Sequence, residues 1–207
     1  MTQDLASFKL MDLIKCTYCT HYSYTIVNAS PATGILYVTE NSPYFLSGHV
    51  RLRGRDEGRY PYKYLEMVDK IFGPEPNTIE VCSRSVIPWN NGGNCFTVDI
   101  NPNTNPDLVT DGQTLEGIED GKYSRWRCDP PYNKDTALSM YNTELPSTGK
   151  LLEAGARVCK LGSLLFLLLG PQNYQWCPKG VKRIGWISAT IVPNQELRAL
   201  HIFYKYE

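Results

Sequence analysis

The sequence predicts an α/β fold: an open, mostly parallel sheet preceded by a β-rich N-terminal extension. Three observations carry that prediction. From about residue 60 onward, short apolar strands alternate with segments of helical periodicity, the element order of a parallel sheet covered on both faces. Leu164 to Leu169 is apolar at every position, which suits a strand buried on both sides in the middle of such a sheet. The first sixty residues are instead rich in Tyr, Thr, Ser and Pro, and their β-branched and aromatic runs suit strands of an antiparallel extension.

Taken in order, Tyr22 to Val27 and Gly34 to Thr39 read as strands of the extension. Arg51 to Arg59 carries charges and two glycines and reads as an exposed loop. Pro61 to Phe72 follows with Tyr64, Leu65, Val68, Ile71 and Phe72 at helical spacing. Proline is acceptable in its first turn, and Gly73-Pro74 closes it. Strands are expected at Thr78 to Cys82, Cys95 to Ile100, Asp107 to Thr110 and Tyr123 to Cys128, and helices at Thr136 to Tyr141 and Gly149 to Lys160. After the apolar strand come Arg183 to Ile191 and Leu197 to Tyr206, close enough in sequence to pair. At 207 residues and 42% hydrophobic content the chain reads as one domain, with 1–59 an extension of a core spanning 60–207.

Composition narrows the function classes. Lys and Arg number 21, as do Asp and Glu, so no net field draws the protein onto a polyanion or an acidic membrane, and any such site is a local patch. The longest apolar run, Leu161 to Leu169, falls well short of the roughly 20 residues of a spanning helix. No signal-peptide pattern opens the chain, so a cytoplasmic or otherwise intracellular protein without membrane association is expected. Seven cysteines in no regular framework suggest reduced thiols. Cys16-Thr-Tyr-Cys19 with His21 has half the makings of a zinc site, and His49 could add to it. No second pair has suitable spacing, so no metal is expected.

The chemistry concentrates at Asp129-Pro130-Pro131-Tyr132, directly after the fourth strand of the core. Here the chain resembles the class I S-adenosylmethionine-dependent methyltransferases, and within them the amino-methyltransferases whose signature is Asp or Asn, Pro, Pro and an aromatic. The resemblance covers about residues 60 to 207 in element order, and DPPY is its specific motif. It implies a Rossmann-like sheet with an antiparallel last strand, S-adenosylmethionine as cofactor, and methyl transfer to the exocyclic amine of a nucleic acid base. Adenine N6 in DNA is the leading substrate, in the manner of N6-adenine DNA methyltransferases.

In that reading Asp129 and the Pro130 carbonyl accept the two N–H bonds of an amine whose lone pair is otherwise drawn into its ring. Consecutive prolines, fixed in φ and without N–H groups, stiffen the turn that presents the carbonyl. Tyr132 stacks on the planar base, as in enzymes that act on flipped bases. The resemblance assigns cofactor contacts to Asp99 for the ribose, to Asp111 for the adenine amine, and to Glu80, Cys82, Pro61 and Tyr62. In the residues alone, Asp99 also fits a cap on the turn at Asn101-Pro102, Asp111-Gly112 an ordinary turn, and the Pro-Pro pair a turn packed by an aromatic.

The chain departs from the family after Glu80. The expected glycine-rich loop is replaced by Val81-Cys82-Ser83-Arg84, which motivates an alternative: a catalytically silent, methyltransferase-like binding subunit. An RNA base methyltransferase is a further one. Local basic stretches, at Arg51, Arg53, Arg55, Arg59 and Lys63, at Lys122, Arg125 and Arg127, and at Lys179, Lys182 and Arg183, offer phosphate contacts or a solvated surface. No segment has the length of a separate target-recognition domain, so a partner subunit is a possible source of target recognition.

Overall fold

The computed structural model describes residues 23–29, 32–38, 46–53, 60, 64–83, 95–170, 176–192 and 196–207. In chain order the elements are β1 (Ser23–Ala29), β2 (Ala32–Val38), β3 (Leu46–Arg53), α1 (Tyr64–Phe72), β4 (Thr78–Val81), β5 (Phe96–Asp99) and β6 (Leu108–Val109). They continue with β7 (Tyr123–Cys128), α2 (Lys134–Tyr141), α3 (Thr148–Val158), β8 (Cys159–Leu169), β9 (Val181–Val192) and β10 (Glu196–Lys205). All the strands among the described residues join one sheet in the order β1-β2-β3-β9-β10-β8-β7-β4-β5-β6. From β6 to β8 every pair is parallel. β10 then inserts antiparallel between β8 and β9.

β8 shows why the core forms. Leu164, Phe166 and Leu168 pack with α1 residues Tyr64, Leu65 and Val68 on one face. Leu165, Leu167 and Leu169 pack with α3 residues Leu151 and Leu152 on the other. The strand is therefore apolar at both parities, and each such side chain contributes about 1.5–3 kcal/mol of burial. α3 closes on the sheet through Gly155, where a β-carbon would lie 2.6 Å from Cε2 of the fully buried Trp126.

The connections from β5 to β6 and from β6 to β7 hold only a 3-10 turn at Pro102–Thr104 and tight turns. Arg157 near the end of α3 secures the second of these. Its guanidinium donates to the carbonyls of Ile118 at 2.8 Å and of Thr114 and Leu115 at 3.0 Å. Loop carbonyls that a helix would have satisfied internally are satisfied here by one side chain.

The main departures from the sequence reading concern boundaries. Arg51 to Arg53, expected in an exposed loop, end β3, which runs parallel to β9 with Arg51 opposite Thr190 and Arg53 opposite Val192. Leu46, Gly48, Val50 and Leu52 alternate with polar residues, a period of two that the charges and nearby glycines obscured. β1 and β2 pair antiparallel as expected; β3, which was not expected, pairs antiparallel with β2 and parallel with β9, making the extension continuous with the main sheet. Cys159 and Lys160, expected at the end of a helix, begin β8. No helix among the described residues is long and apolar enough to cross a membrane.

Candidate functional site at the carboxyl edge of the sheet

Four consecutive parallel strands end at one edge, and the loops leaving them form a shallow, solvent-open cleft. Cys82 after β4, Asp99 and Ile100 at the end of β5, Asp111 to Gln113 after β6 and Pro131 after β7 line it. Tyr141, Thr143, Glu144, Pro146 and Leu151 close the far wall. The edge is where open α/β sheets bind ligands. Of the residues expected at the site, the structure thus brings Cys82, Asp99, Asp111 and Pro131 together.

Local bonds hold each in place. Asp99 is 4% exposed, and its Oδ1 accepts from the Asn101 N–H at 2.9 Å. Asp111 accepts from the Gln113 N–H at 2.9 Å, and the Gln113 side-chain amide also donates to its Oδ2 at 3.2 Å. Both residues thus stabilise the turns that follow them, with Asn101 the cap of the 3-10 turn, and both still line the cleft. The carbonyl oxygen of the Gln113 side chain accepts from the Ser147 N–H at 2.9 Å, tying this loop to the start of α3.

Cys82 has φ of 56°, the left-handed conformation that glycine adopts without steric cost. The loop that lacks the expected glycine thus keeps a glycine-like turn. Gly112 is a true close approach, since a β-carbon there would lie 2.6 Å from Cγ1 of Val81. The Cys82 and Cys128 sulfurs lie 3.9 Å apart beneath this edge, and burial, together with Cys82, pushes the Cys128 thiol well above its ordinary range.

Glu80 is not among the residues lining the cleft. It is fully buried, accepts from the Tyr60 hydroxyl, and forms an ion pair with Arg127 at 2.7 Å. Burial raises its pKa against the pull of Arg127 and the Tyr60 hydrogen bond. Burial also works against the Arg127 charge, but Glu80, Tyr60 and Asp69 hold that group above its ordinary value. Arg125 bonds Asp69 at 3.2 Å and the Gly73 carbonyl at 2.9 Å. Arg125 and Arg127, offered by the sequence as phosphate contacts, are instead buried struts between β7 and α1. Lys122 and Lys182 lie at the opposite, amino edge of the central strands, over the Phe96 and Tyr123 rings and the Tyr204 and Tyr206 rings respectively.

The DPPY turn lies between β7 and the Asn133 cap of α2, whose side chain accepts from the Thr136 N–H at 2.7 Å. Pro130 is buried, while Asp129, Pro131 and Tyr132 are half-buried. The Tyr132 hydroxyl donates to Asp129. The guanidinium carbon of Arg198 on β10 lies 3.2 Å from the Tyr132 ring centroid. Tyr60 and Tyr64 stack in parallel with centroids 4.9 Å apart. Burial raises both phenols, and the nearby Glu80 and Asp129 carboxylates add to the effect.

Pro61 and Tyr62 lie outside the described residues, as do Cys16, Cys19, His21, Arg55, Arg59, Lys63 and Arg84. No group of three or more potential metal ligands occurs among the described residues. Arg198 was not singled out in the sequence. The signal was present, because Arg198, Leu200 and Ile202 share one parity and the latter two are core.

Neither a protein-family model nor a curated protein matches the sequence. Solved structures do match the fold. TrmN from Thermus thermophilus superposes with a TM-score of 0.51 at 10% identity, covering 72% of this chain and 50% of that one. A structure described under the conversion of a disulfide bond into a thioacetal group during echinomycin biosynthesis gives 0.50 at 12%, covering 75% and 86%. The fold is the Rossmann-like α/β fold that these structures share. Its parallel strands with an antiparallel strand inserted near the end are those of β6 through β9, and β1 to β3 are added at the β9 edge. The chain spans about half the length of TrmN.

Proposed function

We propose that this protein is an S-adenosylmethionine-dependent methyltransferase acting on the exocyclic amine of a nucleic acid base, with adenine N6 in DNA as the leading substrate. The observation that carries the reading is the adjacency of the DPPY turn to a cleft in which Cys82, Asp99, Asp111 and Pro131 meet. The residues fit the cofactor: two carboxylates suit ribose hydroxyls and an adenine amine, and Ile100, Pro146 and Leu151 supply apolar surface. The turn at Cys82 brings backbone to the cleft. Asp99 is assigned to the ribose and Asp111 to the adenine. When bound, the cofactor supplies an electrophilic sulfonium methyl.

The chain's own task is to make a conjugated amine nucleophilic. Asp129 and the Pro130 carbonyl accept its two N–H bonds, which holds the nitrogen toward a tetrahedral shape with its lone pair facing the cleft. Two prolines in the turn contribute no N–H to compete for those acceptors. The Tyr132 ring provides the stacking surface. β1 to β3, or a partner chain, are assigned the task of target recognition.

The test is incubation with methyl-labelled S-adenosylmethionine and a panel of DNA and RNA, followed by nucleoside analysis. Label is expected in N6-methyladenosine species, with DNA the better acceptor. Absence of label from every nucleic acid would overturn the assignment.

A further inference from the structure

We propose that Arg198 stands in the target-base position of the DPPY site and leaves it to bind a phosphate of the incoming strand, so that it gates base entry and contributes to strand affinity. The inference rests on the methyltransferase reading and adds a residue to it.

Three observations carry it. The guanidinium is planar, and its central carbon lies 3.2 Å from the Tyr132 ring centroid, about the spacing at which a base would stack. It therefore occupies one face of the ring proposed to receive the base. Asp129, the proposed amine acceptor, is meanwhile engaged by the Tyr132 hydroxyl. In the structure the Tyr132 hydroxyl thus holds Asp129 while the Arg198 guanidinium covers the Tyr132 ring, and an entering amine has to take over the Tyr132 bond and displace the guanidinium.

The third observation is position. Arg198 lies near the start of β10, opposite Ala189, at the same edge of the sheet as the cleft. The other arginines close to the motif, Arg125 and Arg127, are fixed in the ion pairs to Asp69 and Glu80. Partial burial pulls the Arg198 pKa down to about 10, and Asp129 opposes that. Moving to a solvent-exposed phosphate recovers solvation while keeping a counterion. Arginine suits both states, because the same fork stacks on an aromatic face and pairs with phosphate oxygens.

The experiment uses the full chain and a fluorescent, adenine-containing single-stranded oligodeoxynucleotide, with affinity read by anisotropy over a range of salt. Removing one phosphate contact from a single strand makes the slope of log K against log salt shallower by about 0.7. Arg198→Ala is expected to show that change, with roughly tenfold weaker strand binding at moderate salt, and unchanged S-adenosylmethionine affinity. Arg198→Lys is expected to restore the slope, because it keeps the charge, but not the stacking. With 2-aminopurine at the target position, the alanine variant is expected to admit the base more readily per bound strand.

An unchanged salt slope and strand affinity in Arg198→Ala would overturn the proposal and leave Arg198 as packing on Tyr132. Failure of the unmodified protein to bind the strand at all would also overturn it, whereas intact cofactor binding in that case would keep the methyltransferase reading. Loss of cofactor binding by the unmodified protein would instead remove the reading on which the proposal rests.

Discussion

Replacing Glu80 by Gln tests whether this residue is structural rather than part of the cofactor site. Its side chain is 0% exposed and that of Arg127 9%, with 2.7 Å between Oε2 and Nε. Removing one partner of such a pair leaves the other charge buried, a cost of about 3–5 kcal/mol. Asp69 lies 3.7 Å from an Arg127 nitrogen and offsets part of it. Glutamine can still accept from the Tyr60 hydroxyl, so a loss near 3 kcal/mol is expected. With a urea slope of about 2 kcal/mol per molar, the midpoint then falls by about 1.5 M.

Urea unfolding followed by circular dichroism measures that shift. A triple change, Tyr60→Phe with Glu80→Met and Arg127→Met, removes all three polar groups together and is expected to recover most of the loss. A loss under about 1 kcal/mol in Glu80→Gln, with cofactor binding abolished in the folded variant, would refute the reasoning and return Glu80 to the cleft.

Other outcomes follow from the same packing. Gly155→Ala sets a methyl group 2.6 Å from the Trp126 indole, and overpacking of this kind costs about 1–3 kcal/mol. A lowered Tm with altered tryptophan fluorescence is expected, and an unchanged Tm would show that α3 can move off the sheet at no cost. His201 is buried on β10, and burial first, then Arg183, lower its pKa from 6.5 to about 4. The unfolded chain then binds a proton between those values that the folded one refuses, so this stability term is intact above 6.5 and is lost as pH falls toward 4. The full span is about 3 kcal/mol. His201→Phe is expected to flatten the fall in stability between pH 7 and 5, and an identical slope in both proteins would contradict the assignment.

Much of this architecture was legible in the sequence because it rests on local patterns. The apolar run at 164–169, the helical spacing at 64–72 and the motif after Cys128 each carry their own signal. The carboxyl-edge cleft followed from element order, since any parallel strand delivers its next loop there. What was not legible depends on pairing across the chain. Nothing near Glu80 in sequence announces Arg127, forty-seven residues away, and only register shows that both side chains share the α1 face. The role of Cys82 was likewise hidden, because a backbone angle, not a side-chain type, lets it replace a glycine. β3 escaped notice because charged residues at its end outweighed its period of two. The parity of Arg198 with Leu200 and Ile202 is a sequence signal, but its place beside the motif is evident only once β10 is seen to return its first residues to the edge where β7 ends.

The central claim is that one cleft holds the cofactor and the adjoining DPPY turn activates the amine. Calorimetric titration with S-adenosylmethionine, set beside label transfer for the same samples, tests it most directly. Asp99→Ala is expected to weaken cofactor binding at least tenfold, the range for a lost hydrogen-bonding partner to a charged group. Asp129→Ala is expected to bind the cofactor like the unmodified protein and to transfer no label. No binding by the unmodified protein at millimolar cofactor, or full transfer by Asp129→Ala, would contradict the account.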